Sequence, residues 1–183
     1  MTAPAAGNRA GSVLLVPLLV GAVVAVALGV YGNLHTPTGV AVNVAGFSGP
    51  QAVKAWLATV VVVLALVQLV TALVLYGKLG RSAPAWVSPV HRWSGRLAFL
   101  VSIPVALHCL YALGFQSFDT RVLLHSLLGC FFYGIFVVKM LLLRRDGAPG
   151  WSLPLVGGLV FTALVGLWLS ASLWFFTQSG LTF

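Results

Sequence analysis

The chain has 183 residues, of which 60% are hydrophobic and only 7% are charged, and its mean hydropathy is +1.06. A soluble domain carries roughly 25% charged residues, so this composition excludes a soluble globular protein and predicts that most of the chain lies in lipid. The formal net charge is +8. The bases stand at the ends of apolar runs rather than in one patch, which argues against nucleic-acid binding and indicates membrane topology signals.

Apolar segments close to the roughly 20 residues that an α-helix needs to span hydrocarbon follow one another along the chain. They cover about 12–31, 52–77, 91–113, 121–143 and 152–176. The sequence therefore predicts an all-α integral membrane bundle of about five transmembrane helices over 12–176, between a flexible N-terminal tail at 1–11 and a short C-terminal tail at 177–183. A cleaved signal peptide is the alternative for the first segment, but its weakly basic start and long apolar run favour a retained helix.

The connecting segments predict the orientation of the bundle. Lysine and arginine occur in 78–90 and 144–151, whereas 32–51 and the C-terminal tail have no charged side chain. Because basic loops stay in the cytoplasm, we expect a cytoplasmic N-terminus and an external C-terminus. The Ala/Val/Gly-rich composition is typical of a GC-rich genome, and we expect a multi-pass protein of the cytoplasmic membrane of a bacterium, in contact with membrane lipid.

Histidines inside the apolar segments are the strongest functional signal, because ionisable side chains in a membrane are costly and tend to be functional. His108 and His125 each lie 8.5 residues from their common midpoint, which nearly coincides with the centre of the turn 114–120. Two helices that leave one tight turn place such residues at equal depth, roughly 7–9 Å below the outer ends of the helices. Bis-histidine ligation of a haem b needs that arrangement, so we predict one haem b on the outer side, with these two histidines as ligands of its iron.

Neighbouring residues fit a haem pocket, although each also has a simpler interpretation. Gly129 lies one turn inward of His125 and leaves room for a flat ring, but glycine in a membrane helix also serves close packing. Arg121 lies one turn outward and can pair with a haem propionate, or it can be an interfacial anchor. Pro104, one turn inward of His108, frees a backbone carbonyl and favours a kink that opens a pocket. The simpler interpretation of the histidine pair is a hydrogen bond between helices.

The run HRWSGRLAFL at 91–100, followed by His108 near the helix end, resembles the ferric-reductase-like transmembrane family and the related ascorbate-reducible cytochromes b. The resemblance covers about residues 86–145. It implies a helical bundle that holds haem between helices and transfers electrons across or along the membrane. That family usually carries two histidines on each of two helices for two haems, whereas the fourth helix here has only His125.

A second resemblance points to a quinone. The run SPVHRWSG at 88–95 is similar to the S-x-x-H-R-x-[ST]-G motif of the succinate dehydrogenase cytochrome b anchor, and HSLLG at 125–129 is similar to the haem-ligand motif H-x-x-x-G of that family. The serine and arginine of the first motif help to bind a quinone there. The resemblance therefore implies Ser88 and Arg92, with His91 beside them, as a candidate quinone site, although that anchor has three helices per chain.

Together these patterns favour a haem b electron-transfer subunit that exchanges electrons with a partner redox protein or a quinone. We expect an oxidoreductase subunit without catalytic residues of its own rather than a complete enzyme. The absence of acidic residues from the predicted helices disfavours an ion-coupled transporter. Two alternatives stay open: a quinone-reactive anchor of a respiratory complex, and a haem-free structural or assembly subunit. His35, in the outer loop, is expected to be solvated or to contact the haem edge or a partner.

Overall fold

A computed structural model describes residues 6–80 and 82–183 of the chain. The described residues form helices and connecting segments and contain no β-strand, so the predicted all-α fold is confirmed. Five helical segments are long and apolar enough to cross a membrane: Val13–Leu34, Pro50–Leu75, Val87–Leu113, Thr120–Leu142 and Ser152–Ser179. The protein is therefore a multi-pass membrane protein whose helices contact lipid.

The α-helices are α1 (Ala6–Leu34), α2 (Pro50–Leu75), α3 (Val87–Leu107), α4 (Thr120–Leu142), α5 (Ser152–Trp168) and α6 (Trp174–Ser179). Two π-helical segments continue these helices. The first, His108–Leu113, extends α3, and the second, Leu169–Leu173, joins α5 to α6. Each therefore lies within a membrane-spanning segment rather than between two of them.

Some helix ends differ from the prediction. Residues 6–11, assigned to a flexible tail, belong to α1; residues 1–5 lie outside the described part of the chain. α3 begins at Val87 rather than near residue 91, because a proline in the first helical turn loses no intrahelical hydrogen bond. α6 extends to Ser179, so the C-terminal tail is 180–183.

The contacts divide the chain into two compact units, where the sequence predicted one domain over 12–176. Unit 1 comprises Met1–His35 and Phe115–Gly166, and unit 2 comprises Thr36–Gly114 and Leu167–Phe183. The division follows the helix pairing, because α1 packs on α4 within unit 1 and α2 packs on α3 within unit 2.

In unit 1, α1 and α4 run antiparallel and approach closely through small residues. Gly21, Ala25 and Gly29 are spaced by four and share one face of α1. A methyl carbon built on Gly21 would lie 2.6 Å from the carbonyl oxygen of Gly134 in α4. Lipid provides no hydrophobic force between helices, so this backbone approach supplies packing that larger residues would prevent. Further along α4, a buried apolar cluster continues the contact: Ile135, Val138 and Leu142, with Val156 of α5.

In unit 2, the C-terminal part of the chain packs on α2. The indole Nε1 of Trp168 donates to Oγ1 of Thr59 at 2.9 Å. The indole of Trp56 stacks on the ring of Phe183 with a centroid distance of 4.7 Å, and its Nε1 donates to the carbonyl of Thr182 at 2.9 Å. The segment predicted as a short tail is therefore held against α2 by aromatic and hydrogen-bond contacts.

Candidate functional site

A group of polar side chains joins α2 to α3 inside unit 2, and we call it the α2–α3 polar cluster. It consists of Gln68 and Thr71 of α2 and His91 and Ser94 of α3. Oγ1 of Thr71 lies 2.8 Å from Nδ1 of His91. Nε2 of Gln68 donates to Oγ of Ser94 at 2.7 Å and also to the carbonyl of His91. These residues therefore satisfy much of one another's hydrogen-bonding capacity.

Helical spacing and one glycine create this arrangement. Gln68 and Thr71 are three residues apart on α2, as are His91 and Ser94 on α3, so each pair shares a helix face. A methyl carbon at Gly95 would lie 3.0 Å from Oε1 of Gln68. The missing side chain at this glycine therefore lets the Gln68 amide reach the backbone of α3.

The hydroxyl groups of the cluster also bond to their own helices. Oγ of Ser94 donates to the carbonyl of Val90 at 2.7 Å, which leaves its lone pairs to accept from Gln68. Oγ1 of Thr71 donates to the carbonyl of Val67 at 2.6 Å. In the arrangement where Oγ1 gives its one proton to Val67, it accepts from Nδ1–H of His91. The cluster thus fixes the orientation of the His91 ring.

The structure divides the predicted quinone site. His91 belongs to the α2–α3 polar cluster, whereas Ser88 is half-buried, Arg92 is exposed, and neither contributes a hydrogen bond to the cluster. Three residues of the motif at 88–95, namely His91, Ser94 and Gly95, contact α2. Within this chain, much of the motif therefore serves to pair two helices.

His108, one of the two predicted haem ligands, is half-buried at the start of the first π-helical segment. Pro104 lies inside α3 four residues earlier, and its carbonyl and that of Val105 both accept from the N–H of His108. A proline cannot donate to the preceding turn, so the ladder of helical hydrogen bonds changes register here. Single π-helical turns in α-helices are frequent at functional sites.

Lys54, in the first turns of α2, interacts electrostatically with His108 within unit 2. The sequence analysis did not identify this lysine, although one signal could have found it. The segment 76–86 connects α2 to α3 and is centred on position 81. Thr71 and His91 each lie 10 residues from that position, and Gln68 and Ser94 each lie 13 residues from it.

Lys54 and His108 each lie 27 residues from position 81. Residues of α2 and α3 that are equidistant from the centre of their connecting segment therefore meet across the pair. Once α2 and α3 pair, this rule predicts the contacts of Gln68 and Thr71 with α3.

His125, the second predicted ligand, lies half-buried in α4 of unit 1. The turn before it is held in place by Ser126, whose Oγ donates to the carbonyl of Gln116 at 2.9 Å and accepts from its N–H at 3.2 Å. Oδ1 of Asp119 caps the N-terminus of α4 by accepting from the N–H of Val122 at 2.8 Å. The turn and the first residues of α4 therefore form one hydrogen-bonded structure.

Arg121 has a partner other than the predicted propionate, because its Nη2 lies 3.8 Å from Oδ2 of Asp119. Gly129 lies half-buried in α4, one turn after His125. His35 follows α1, and its ring stacks on that of Tyr31 with a centroid distance of 5.1 Å. These three residues all belong to unit 1.

The helix ends give the depth of each predicted ligand in its own helix. His108 lies five residues before Leu113, where the π-helical extension of α3 ends, and His125 lies five residues after Thr120, where α4 begins. Each histidine is therefore about 7 Å from the end of its helix that faces the turn. Among the described residues, no group of three or more His, Cys, Asp or Glu side chains forms a metal site, but a haem needs only two axial ligands.

These features define a multi-pass membrane protein in which α2 and α3 are paired through polar contacts. A family model matches residues 14–183, and the chain belongs to that family, described as a family of unknown function (DUF6529). No curated protein and no solved structure matches the chain.

Proposed function

We propose that this protein is a membrane-embedded haem b electron-transfer protein, with His108 and His125 as axial ligands of one haem. The observation that carries the proposal is that each histidine lies five residues from the turn-facing end of its helix. Residues of α2 and α3 that are equally far from the centre of their connecting segment likewise meet, as Gln68 and Ser94 do.

The residues around His108 fit a haem. Its imidazole lies in an apolar span, and none of the five spans contains Asp or Glu, so no carboxylate within a span competes for the ring. The π-helical turn at His108 is an irregularity of the kind found at cofactor sites. Lys54 interacts with His108 electrostatically, and its ammonium is suited to pair with a propionate. This role suits Lys54 better than Arg121, which is paired with Asp119.

Haem b, when bound, supplies a one-electron redox centre, and the protein contributes its ligation and surroundings. The two histidines would hold the iron. A positive charge from Lys54 disfavours the more positive oxidised iron and so raises the reduction potential. Electrons would come from and go to a partner redox protein or a quinone.

The proposal includes an orientation in the cytoplasmic membrane of a bacterium. Lys78 follows α2, and Arg144 and Arg145 follow α4, whereas 36–49, between α1 and α2, has no charged side chain. This asymmetry favours a cytoplasmic N-terminus, an external C-terminus and a haem near the outer surface. Reporter fusions after residues 40, 80, 117 and 147 should be external, cytoplasmic, external and cytoplasmic.

A reduced-minus-oxidised absorption spectrum of the purified protein tests the haem. We expect a b-type α-band that is lost in His108→Ala and in His125→Ala. His35→Ala is the matched control, because His35 lies just beyond the end of the first span, where its ring stacks on that of Tyr31. This variant should retain the band. A folded wild-type protein without haem after expression with added haem precursor would overturn the proposal.

A haem-free structural or assembly subunit is the second candidate function. It is favoured by the α2–α3 polar cluster, in which His91 and Ser94 of the motif at 88–95 form hydrogen bonds to α2 and so pair the two helices. The spectrum separates this candidate from the haem protein. A quinone-reactive anchor is tested by Arg92→Gln, which should abolish reactivity with a quinone while haem content stays unchanged.

A further inference from the structure

We propose that the N-terminal part of α3 binds the phosphate-bearing headgroup of an anionic phospholipid through Arg92, Trp93 and Arg96. This inference is independent of the haem. It rests on the charge of unit 2, the arrangement of two guanidinium groups, and the apolar surface that follows them along the helix.

The charges of unit 2 are unbalanced. Both acidic residues of the chain, Asp119 and Asp146, lie in unit 1, so every charged side chain of unit 2 is a base. Arg92 and Arg96 are both exposed, and no ion pair involves either of them among the described residues. Neither guanidinium therefore has an acidic partner among the described residues, and both are available to an anion from outside the chain.

The spacing of the two arginines suits a single anion. Arg92 and Arg96 are four residues apart, so their guanidinium groups project from the same face of α3, where like charges repel. A phosphate between them removes this repulsion and accepts several N–H groups, because guanidinium donors match phosphate oxygens in pairs. His91 and Ser94 face α2. The side of α3 that carries the two arginines is therefore turned away from α2.

Trp93 holds one of the guanidinium groups in position. Cζ of Arg96 lies 5.0 Å from the centroid of the Trp93 ring. This cation–π contact orders the side chain and leaves its N–H donors available for an anion. Trp93 is 60% exposed and Trp86 is 62% exposed, and indoles prefer the headgroup level of a membrane. The site is therefore expected at the depth of lipid phosphates.

Exposed apolar residues follow the arginines towards the middle of the span. Leu97 and Leu100 lie four and seven residues after Trp93 on the same side of α3, and Leu100 is 59% exposed. A ligand with a phosphate at the arginines and acyl chains along the leucines fills both surfaces. This combination identifies a phospholipid rather than free phosphate or a soluble acidic peptide.

Native mass spectrometry of the purified full chain tests the site, with phosphatidylglycerol and phosphatidylcholine as probes. The wild type should retain phosphatidylglycerol in preference. Arg92→Gln/Arg96→Gln should reduce that affinity by about thirtyfold, since each base near an anionic surface contributes about fivefold. Phosphatidylcholine retention should not change. Circular dichroism of each variant confirms that its helices are intact.

The matched control is Arg144→Gln/Arg145→Gln, which removes the same charge from adjacent residues that precede Asp146 in unit 1. It should keep the preference for phosphatidylglycerol. Trp93→Leu leaves the charge unchanged and should weaken binding by severalfold. Equal losses in the two double variants, or displacement of the lipid by inorganic phosphate, would overturn the proposal.

Discussion

Oγ1 of Thr71 lies 2.8 Å from Nδ1 of His91, and this contact joins α2 to α3 within the membrane-spanning part of unit 2. Both residues are 10 positions from the centre of the segment that connects the two helices. Gln68 and Ser94 add a second bond one turn away.

The Thr71–His91 contact should contribute coupling energy to the stability of the protein. We expect a double-mutant cycle of Thr71→Val and His91→Leu to give about 0.6 kcal/mol, the average for interhelical hydrogen bonds in a membrane protein, and no more than about 1.7 kcal/mol. Unfolding free energies in mixed detergent micelles provide the measurement. Thr59→Val, which breaks the bond to Trp168 instead, should show no coupling to His91→Leu. Strict additivity of Thr71→Val and His91→Leu would contradict the contact.

Gly95→Ala should destabilise the pairing of α2 and α3. The new methyl carbon would lie 3.0 Å from Oε1 of Gln68, and the amide cannot move away without losing its bonds to α3. A loss of about 1 kcal/mol is expected. Gly158→Ala in α5 is the control, because no atom lies within 4 Å of its methyl position. That control should be neutral or slightly stabilising, and a similar loss in both variants would refute this role of Gly95.

Gly21→Ala should separate α1 from α4 in unit 1. Its methyl carbon would lie 2.6 Å from a backbone oxygen of Gly134, and backbone atoms cannot rotate away as a side chain can. We expect a loss of about 1–3 kcal/mol in the free energy of unfolding. Gly29→Ala, on the same face of α1, meets Cys130 at an ordinary 3.6 Å and should be tolerated. Thermal unfolding of the two variants side by side gives the comparison, and equal stability would show that α1 and α4 are not in close contact at Gly21.

Lys54→Met should lower the midpoint potential of the proposed haem. The Lys54 ammonium interacts with His108, and loss of a nearby positive charge stabilises the oxidised iron. The expected shift is on the order of tens of millivolts, measured by spectroelectrochemical titration. Lys78→Met removes the same charge from beyond the other end of α2 and should leave the potential nearly unchanged. A shift of equal size in both variants would show that the effect is not local to His108.

Hydropathy predicted the membrane-spanning segments well, because the free energy of transfer into lipid depends mainly on composition. All five predicted segments correspond to helical spans. The helix ends were less accurate, since a proline near a helix start, such as Pro89, does not end a helix. The π-helical turn at His108 was not predicted, because it depends on how hydrogen bonds rearrange after Pro104.

The sequence by itself determined that this is an all-helical membrane protein, which residues cross the membrane, and which polar side chains must find partners inside it. Only the tertiary structure decided which helices pair, α1 with α4 and α2 with α3. The physical reason is that a membrane helix is apolar on every face. Hydrophobic periodicity therefore does not show which face packs against another helix. Close approach at Gly21 and the bond from Gln68 to Ser94 depend on the shape and polarity of both partners, which no single segment contains.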